Sequence, residues 1–363
     1  MLVLPLSACE NSSKTDYNQK IEKTKKDINE MSESELEVAS YDGDKKAALK
    51  LAKMYDFGID VSNDYTKARE WYELALELGA KEASINLGYI YMNGLGVDKD
   101  VNKAIDYFNS AIKHKLPDGY AALARLYLTN KDLPNAESLC IENAKKASEA
   151  KSAMGKFVLG YLYETGYGIQ VDYVKAKALY KELADKDYSE YSKDTQYPYC
   201  EASIRLGVLF TKETATDDEK SKSIEYFNKA ANVDYAKAHY FVGASYQGGI
   251  NVDKNSEKAI KAYTKAAEQK YAPALNQLGY MYFNGKGVKL DLEKAEYYFK
   301  LAAAQNYAPA QINLGYIYEN GYGEDKNLAL AKQYYELAAK SNYDGAMEAI
   351  TRVDQLINES QAS

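Results

Sequence analysis

The sequence predicts an all-α solenoid of antiparallel helix pairs. Three observations carry that prediction: an internal repeat of constant length, a stripe of small, apolar and aromatic residues at helical spacing in each copy, and turn residues between successive stripes. The run A-L-N-Q-L-G-Y-M-Y-F-N-G-K-G-V of Ala274–Ala303 returns in Ala310–Ala339 as A-Q-I-N-L-G-Y-I-Y-E-N-G-Y-G. Counted from the Leu of the L-G pair, the anchors are Leu51, Leu87, Leu123, Leu159, Leu206, Val242, Leu278 and Leu314, with Ile350 in the same place at the end. Every step is 36 residues except that from Leu159 to Leu206, which is 47 and so holds 11 extra residues.

The first helix of each copy follows from its stripe. Four residues before the anchor stands a small side chain, as at Ala83, Ala238 and Ala310, and four after it an aromatic one, as at Tyr91, Tyr246 and Tyr318. Positions i, i+4 and i+8 line one helical face. The G-x-G pairs Gly94/Gly96, Gly166/Gly168, Gly285/Gly287 and Gly321/Gly323 then stop the helix, since glycine enters left-handed backbone space without a Cβ penalty. Asp64, Asp100, Asp172, Asn255, Asp291 and Asn327 start the second helix, each supplying a side-chain oxygen for an otherwise unpaired N–H. That helix carries an Ala and, four residues on, an aromatic ring such as Phe108 or Tyr335. One pair cannot bury its stripe alone, so stability lies between neighbours.

These residues make the chain resemble the Sel1-like repeat family, a relative of the tetratricopeptide repeats, over about Ala47 to Ala339. The resemblance implies a right-handed superhelical solenoid over residues 45–340. The copies at Leu123 and Leu206 depart from the pattern, with T-N-K-D-L-P-N-A and T-K-E-T-A-T-D-D-E in place of the glycine turn. The spacing keeps their helices in register.

Outside the repeats, Met1 to Cys9 reads M-L-V-L-P-L-S-A-C, and its Leu6-Ser7-Ala8-Cys9 end resembles the lipobox of bacterial lipoproteins, with Cys9 as the lipidated residue. The apolar run is short and lacks a positive n-region. Two readings stand: a lipoprotein signal whose start is assigned too late, or an apolar terminus. Glu10 after the cysteine implies, by the same resemblance, the outer membrane. Residues 10–44 are polar, with a tether at Glu10 to Asp16 and a capping helix within Tyr17 to Val38. Residues 341–358 form a second cap, with Ala346, Ile350, Val353 and Ile357 facing the last repeat. The insertion, about 185–200, reads as an excursion between helices bearing four tyrosines, either a surface loop or a contact element.

The chemistry is mostly one of exclusions. A net charge of -7 gives no general attraction to phosphate backbones, so nucleic acid is not expected as a partner. His114 and His239 belong to no ligand set, and no metal or cofactor is expected. Cys140 and Cys200 read as free buried thiols. The G-x-G pairs end helices and lack the third glycine of a dinucleotide loop. Ser110 and Ser148 each open an S-x-x-K without the companion motifs of a serine acylase, and Asp217/Asp218 read as solvated acids in a polar turn. No catalytic residue is assigned, and the chain is not expected to be an enzyme.

What remains is a surface. Two residues after the anchors come Tyr89, Arg125, Tyr161, Tyr280 and Tyr316, and one before them Asn86, Arg205, Gln277 and Asn313, on the same face by i,i+3 spacing. Tyrosine and arginine supply anchors, and amides pair with exposed backbone. The expected function is a monomeric scaffold that binds a protein or extended peptide at the cell envelope, facing the periplasm and touching the membrane through its lipid anchor only. Two rivals stay open. Family resemblance allows an immunity protein that neutralises a secreted antibacterial effector such as a phospholipase, and an accidental lipobox would leave a cytoplasmic adaptor.

Overall fold

The computed structural model describes residues 26–323 and 325–362. The segment 1–9 with Cys9, and the tether proposed at Glu10 to Asp16, lie outside the described residues. The fold is an all-α solenoid of paired antiparallel helices, and the chain divides into two compact units. The first comprises the chain up to Leu159 with Tyr167–Ile169, and the second comprises Gly160–Gly166 and everything from Gln170 on.

In the first unit a short 3-10 turn, Ile28–Glu30, precedes α1 (Glu33–Tyr41). Three helix pairs follow: α2 (Lys45–Phe57) with α3 (Tyr65–Glu77), α4 (Ala83–Asn93) with α5 (Val101–Lys113), and α6 (Asp118–Thr129) with α7 (Ala136–Glu149). Helix α8 (Ala153–Thr165) runs from the first unit into the residues of the second. The second unit continues with α9 (Tyr173–Ala184), α10 (Lys193–Phe210), α11 (Asp217–Ala231), α12 (Ala236–Gly248) and α13 (Ser256–Glu268). It ends with α14 (Ala272–Asn284), α15 (Leu292–Ala303), α16 (Ala308–Asn320), α17 (Leu328–Lys340) and α18 (Ala346–Ala362). Within each unit successive helices pack in chain order.

The turns behave as their residues require. Gly58, Gly94, Gly249, Gly285 and Gly321 sit at helix ends with φ of 63–73°, where a Cβ would be strained. Asp64, Asp100, Asp172, Asn255, Asp291 and Asn327 accept from backbone N–H groups of the next helix. Each of these six also donates its own N–H, at 2.8–3.0 Å, to the carbonyl of the aromatic residue four after the anchor. The loop is thereby closed at both of its polar ends.

The L-G glycine sets how closely the two helices of a pair cross. A Cβ added at Gly88, Gly160, Gly207, Gly243, Gly279 or Gly315 would lie 2.2–2.8 Å from the ring of Phe108, Tyr180, Phe227, Tyr263, Phe299 or Tyr335, respectively. Each ring is buried against its glycine. Where the ring is tyrosine, its hydroxyl donates to a side chain five after the anchor: Tyr180 to Glu164 at 2.8 Å, Tyr263 to Gln247 at 2.6 Å, Tyr335 to Glu319 at 2.7 Å. A buried hydroxyl without such an acceptor would cost about 1–3 kcal/mol. In the α6/α7 pair, Ala124 stands in the glycine position and Ala144 in the ring position. The Cys140 thiol there donates to the Ala124 carbonyl at 3.2 Å. Small side chains on both helices replace the glycine and ring.

Three segments differ from the sequence reading. The capping helix expected within Tyr17 to Val38 begins, among the described residues, only at Glu33, where Ser32 caps it, and runs on to Tyr41. Much of the insertion is helical, because α10 begins at Lys193 and carries Pro198 inside it. Pro198 lies in the second turn and removes one backbone bond. Of the segment's remaining residues Tyr188 packs inward: it is 1 % exposed, its hydroxyl lies 2.9 Å from Ser203 Oγ, and its ring stacks on Tyr199. Asp217 and Asp218 are not in a turn but open α11, whose N-terminus is closed by a Thr216/Glu219 capping box.

At the ends, Leu36 of α1 is buried in a cluster with Leu51 and Tyr72. Val353 and Ala349 of α18 are buried against the α16/α17 pair, with Ile350 and Ile357 beside them. Arg352 of α18 makes two 2.7 Å bonds to Glu319, and Lys332 pairs with Asp354 at 2.7 Å.

Candidate functional site

The nine surface residues expected to form a binding face all lie on first helices, and they are best described within each unit. In the first unit Asn86 and Tyr89 sit on α4 and Arg125 on α6, all three half-buried. The Arg125 guanidinium lies 5.0 Å from the Tyr89 ring centre, with Nη1 donating to the hydroxyl at 3.5 Å. The same ring meets Phe108 edge-on at 5.2 Å, so it rests partly on the helix-pair interior. Burial pushes the Tyr89 phenol up, and Arg125 opposes that shift.

In the second unit Tyr161 of α8 carries the Arg205 guanidinium of α10 at 4.7 Å. Arg205 also reaches both carboxylate oxygens of Glu164 at 3.4 Å. A cation over an aromatic face is favourable by about 0.5–1 kcal/mol at an exposed site, so both Arg–Tyr pairs also tie first helices together. Burial pushes the Tyr240 phenol of α12 up, and Gln277 of α14 opposes that shift. Asn313 of α16 donates to Asn276 of α14 at 2.9 Å. These amides therefore link adjacent repeats while remaining at the surface.

Tyr280 and Tyr316 are the most open of the nine, at 38 % and 45 % exposed. Lys286 Nζ donates to the Tyr280 hydroxyl at 2.9 Å. Tyr316 packs against Tyr322 at 5.6 Å and Phe283 at 6.2 Å, and Phe283 meets Tyr322 edge-on at 5.4 Å. Phe283 and Tyr322 escaped the sequence reading. Phe283 stands five after its anchor, where Asp56, Glu164, Gln247 and Glu319 stand in other copies, and Tyr322 is the middle residue of G-Y-G. An aromatic residue at those two positions is the signal that could have found them.

The remaining candidates have plain structural settings. Cys140 and Cys200 are free and buried, and burial pushes both thiols up to about 12. His114 caps the end of α5, and His239 is buried on α12 with Nε2 3.0 Å from Asp234. Among the described residues no group of three or more His, Cys, Asp or Glu is arranged to hold a metal ion. Among them, too, no helix is long and apolar enough to cross a membrane.

A stack of helix pairs with an aromatic and amide surface on its first helices defines a repeat protein of the protein-interaction class. The Sel1 repeat matches residues 45–79, 81–115, 153–188, 201–235, 236–271, 272–307 and 308–343, and the chain belongs to that family. The one pair left unmatched is α6/α7, which lacks both the glycine and the ring. Comparison with curated proteins finds no match. Among solved structures the chain is similar to a Sel1 repeat protein from Oxalobacter formigenes, with 22 % identity, TM-score 0.57, and coverage of 88 % of this chain and 90 % of that one. It is also similar to a protective antigen of uropathogenic Escherichia coli strains, with 23 % identity, TM-score 0.49, and coverage of 89 % and 67 %. An immunity protein from Pseudomonas aeruginosa matches with 21 % identity, TM-score 0.38, and coverage of 73 % and 83 %.

Proposed function

We propose that this chain is a binding protein that receives an extended segment of a partner protein on its first-helix faces. The observation that carries the reading is the open aromatic surface of Tyr280, Phe283, Tyr316 and Tyr322, flanked by the Gln277 and Asn313 amides. Tyrosines at a surface offer large, rigid contact area at low entropic cost, and amides pair with peptide backbone. In this reading Asn86, Tyr89, Arg125, Tyr161 and Arg205 serve the partner as well as the internal contacts they make. Helices α1 and α18 act as caps over the terminal repeats. Cys9 carries the lipid that holds the chain at the outer membrane, which is supported by the Leu6–Cys9 sequence. The protein binds and performs no covalent chemistry.

The test is a quantitative pull-down from detergent-solubilised envelopes and from soluble lysate. It compares the native chain with a Tyr89→Ala, Tyr161→Ala, Tyr280→Ala, Tyr316→Ala variant of normal helicity. A stoichiometric partner is expected with the native protein and is lost with the variant. Equal capture by both would overturn the first-helix assignment. A captured secreted effector would mark neutralisation as the biological use of the same face.

A further inference from the structure

A second surface, on other helices of the second unit, has a different chemistry. Helices α11, α12 and α13 enclose a groove of about 440 Å³. One wall is formed by Lys258, Lys261 and Lys265 of α13, which share a helical face by their spacing of three and four residues. All three are exposed, and Lys258 Nζ lies 5.0 Å from the Tyr246 ring centre. Lys261 and Lys265 form no ion pair among the described residues. Three lysines beside a single lining acid, Asp234, stand out on a chain of net charge -7.

The opposite side of the groove holds Asn228, Asp234 and His239. Asp234 is the only acid lining it and is already engaged, accepting from Gln269 Nε2 at 3.0 Å and lying 3.0 Å from His239 Nε2. His239 is only 5 % exposed. When the neutral ring donates from Nε2 to the Asp234 carboxylate, Nδ1 is left as a lone-pair acceptor. Nδ1 has no partner among the described residues. A ligand complementary to the groove therefore needs two features: negative charges for the lysines and an N–H donor for His239. A fully ionised oxyanion such as sulfate supplies only the first, whereas a peptide rich in Asp or Glu supplies both. We propose that this groove is a binding site for an acidic peptide segment, whose carboxylates meet Lys258, Lys261 and Lys265 while a backbone N–H donates to His239 Nδ1.

The proposal is independent of the first-helix surface and is tested with the full chain and a fluorescein-labelled Glu-rich peptide. Fluorescence anisotropy is expected to show saturable binding that a Gln-for-Glu version of the peptide lacks. A Lys258→Gln, Lys261→Gln, Lys265→Gln variant should bind about tenfold more weakly, the combined effect of three exposed ion pairs. The charge-matched control Lys289→Gln, Lys326→Gln, Lys340→Gln should stay near the native affinity. Because the chain has two histidines, its imidazole NMR spectrum reads the site directly. The His239 signals should move on peptide addition while those of His114 stay in place. Equal weakening by the control triple, a stationary His239, or the same His239 shift with inorganic phosphate alone would each overturn the assignment. So would loss of peptide binding in a Tyr280→Ala, Tyr316→Ala variant, which would move the peptide to the first-helix face. Retained peptide binding in that variant, alongside lost partner capture, separates the two sites.

Discussion

Glu319 shows how much one side chain can hold. It is nearly buried, accepts from Tyr335, and takes two bonds from Arg352 of the final helix. The Arg352 guanidinium is the main reason its carboxyl lies below the usual range. A depressed folded pKa stabilises above the unfolded carboxyl value, about 4.3, and that stability is lost as pH falls through the folded value. Arg352→Gln should therefore cost about 1.5 kcal/mol at neutral pH, the low end for a bond to a charged group because Arg352 is half exposed. Urea unfolding followed from pH 7 to pH 3 should show the gap between native and variant closing in acid. The pair was not legible in the sequence. Arg352 falls two after Ile350 and Glu319 five after Leu314, and only the packing of α18 on α16 joins them.

The helix pair is the element on which the fold turns, and its crossing point is a glycine against a ring. Gly315 and Tyr335 are one such case, in which a Cβ at Gly315 would sit 2.4 Å from the ring. Overpacking of this kind costs about 1–3 kcal/mol, so Gly315→Ala should lose stability in that range. Tyr335→Ala opens a cavity, and the double variant, which copies the Ala124/Ala144 pair, should be more stable than the sum of the single losses implies. Additive losses in chemical denaturation would show that glycine and ring are not in steric conflict. The periodicity made both helices, their starts and their stops readable, because spacing and capping are local. It marked the L-G glycine without its purpose, which is set by a ring 20 residues further along the chain. The insertion misled in the opposite direction: 11 extra residues between repeats read as an excursion between helices, but Tyr188 and Cys200 are buried beside Ile204 and Phe227 and hold the segment to the core.

At the scale of the molecule, stability is a sum of similar pairs and the interfaces between them. Removing residues 272–307 takes out one whole repeat and keeps the register of the helices beyond it. The shortened chain should fold with unchanged helicity per residue and a smaller denaturant m-value, reflecting the lost surface. Removing residues 272–289 leaves an odd helix and should unfold the segment beyond it, which circular dichroism and limited proteolysis would reveal. The fold class was legible because it is written several times over. The binding face was legible only as positions: Tyr89 and Tyr161 share their helical register with Tyr280 and Tyr316, yet arginines from the next repeat lie on them. Nor did any repeat position announce the lysine groove, because Lys258, Lys261 and Lys265 do not recur as a set in the other copies.

The loop that closes each pair has a consequence at the level of the gene. Asp291 and Asn327 each bond back to the tyrosine nine residues earlier, so the joint between helices is built entirely from residues of one copy. Misaligned recombination between the coding segments for Ala274–Ala303 and Ala310–Ala339 would add or delete 36 codons as a block, with every cap and crossing intact. Descendants of this gene can thus vary the length of the surface they present without passing through an unfolded intermediate in evolution.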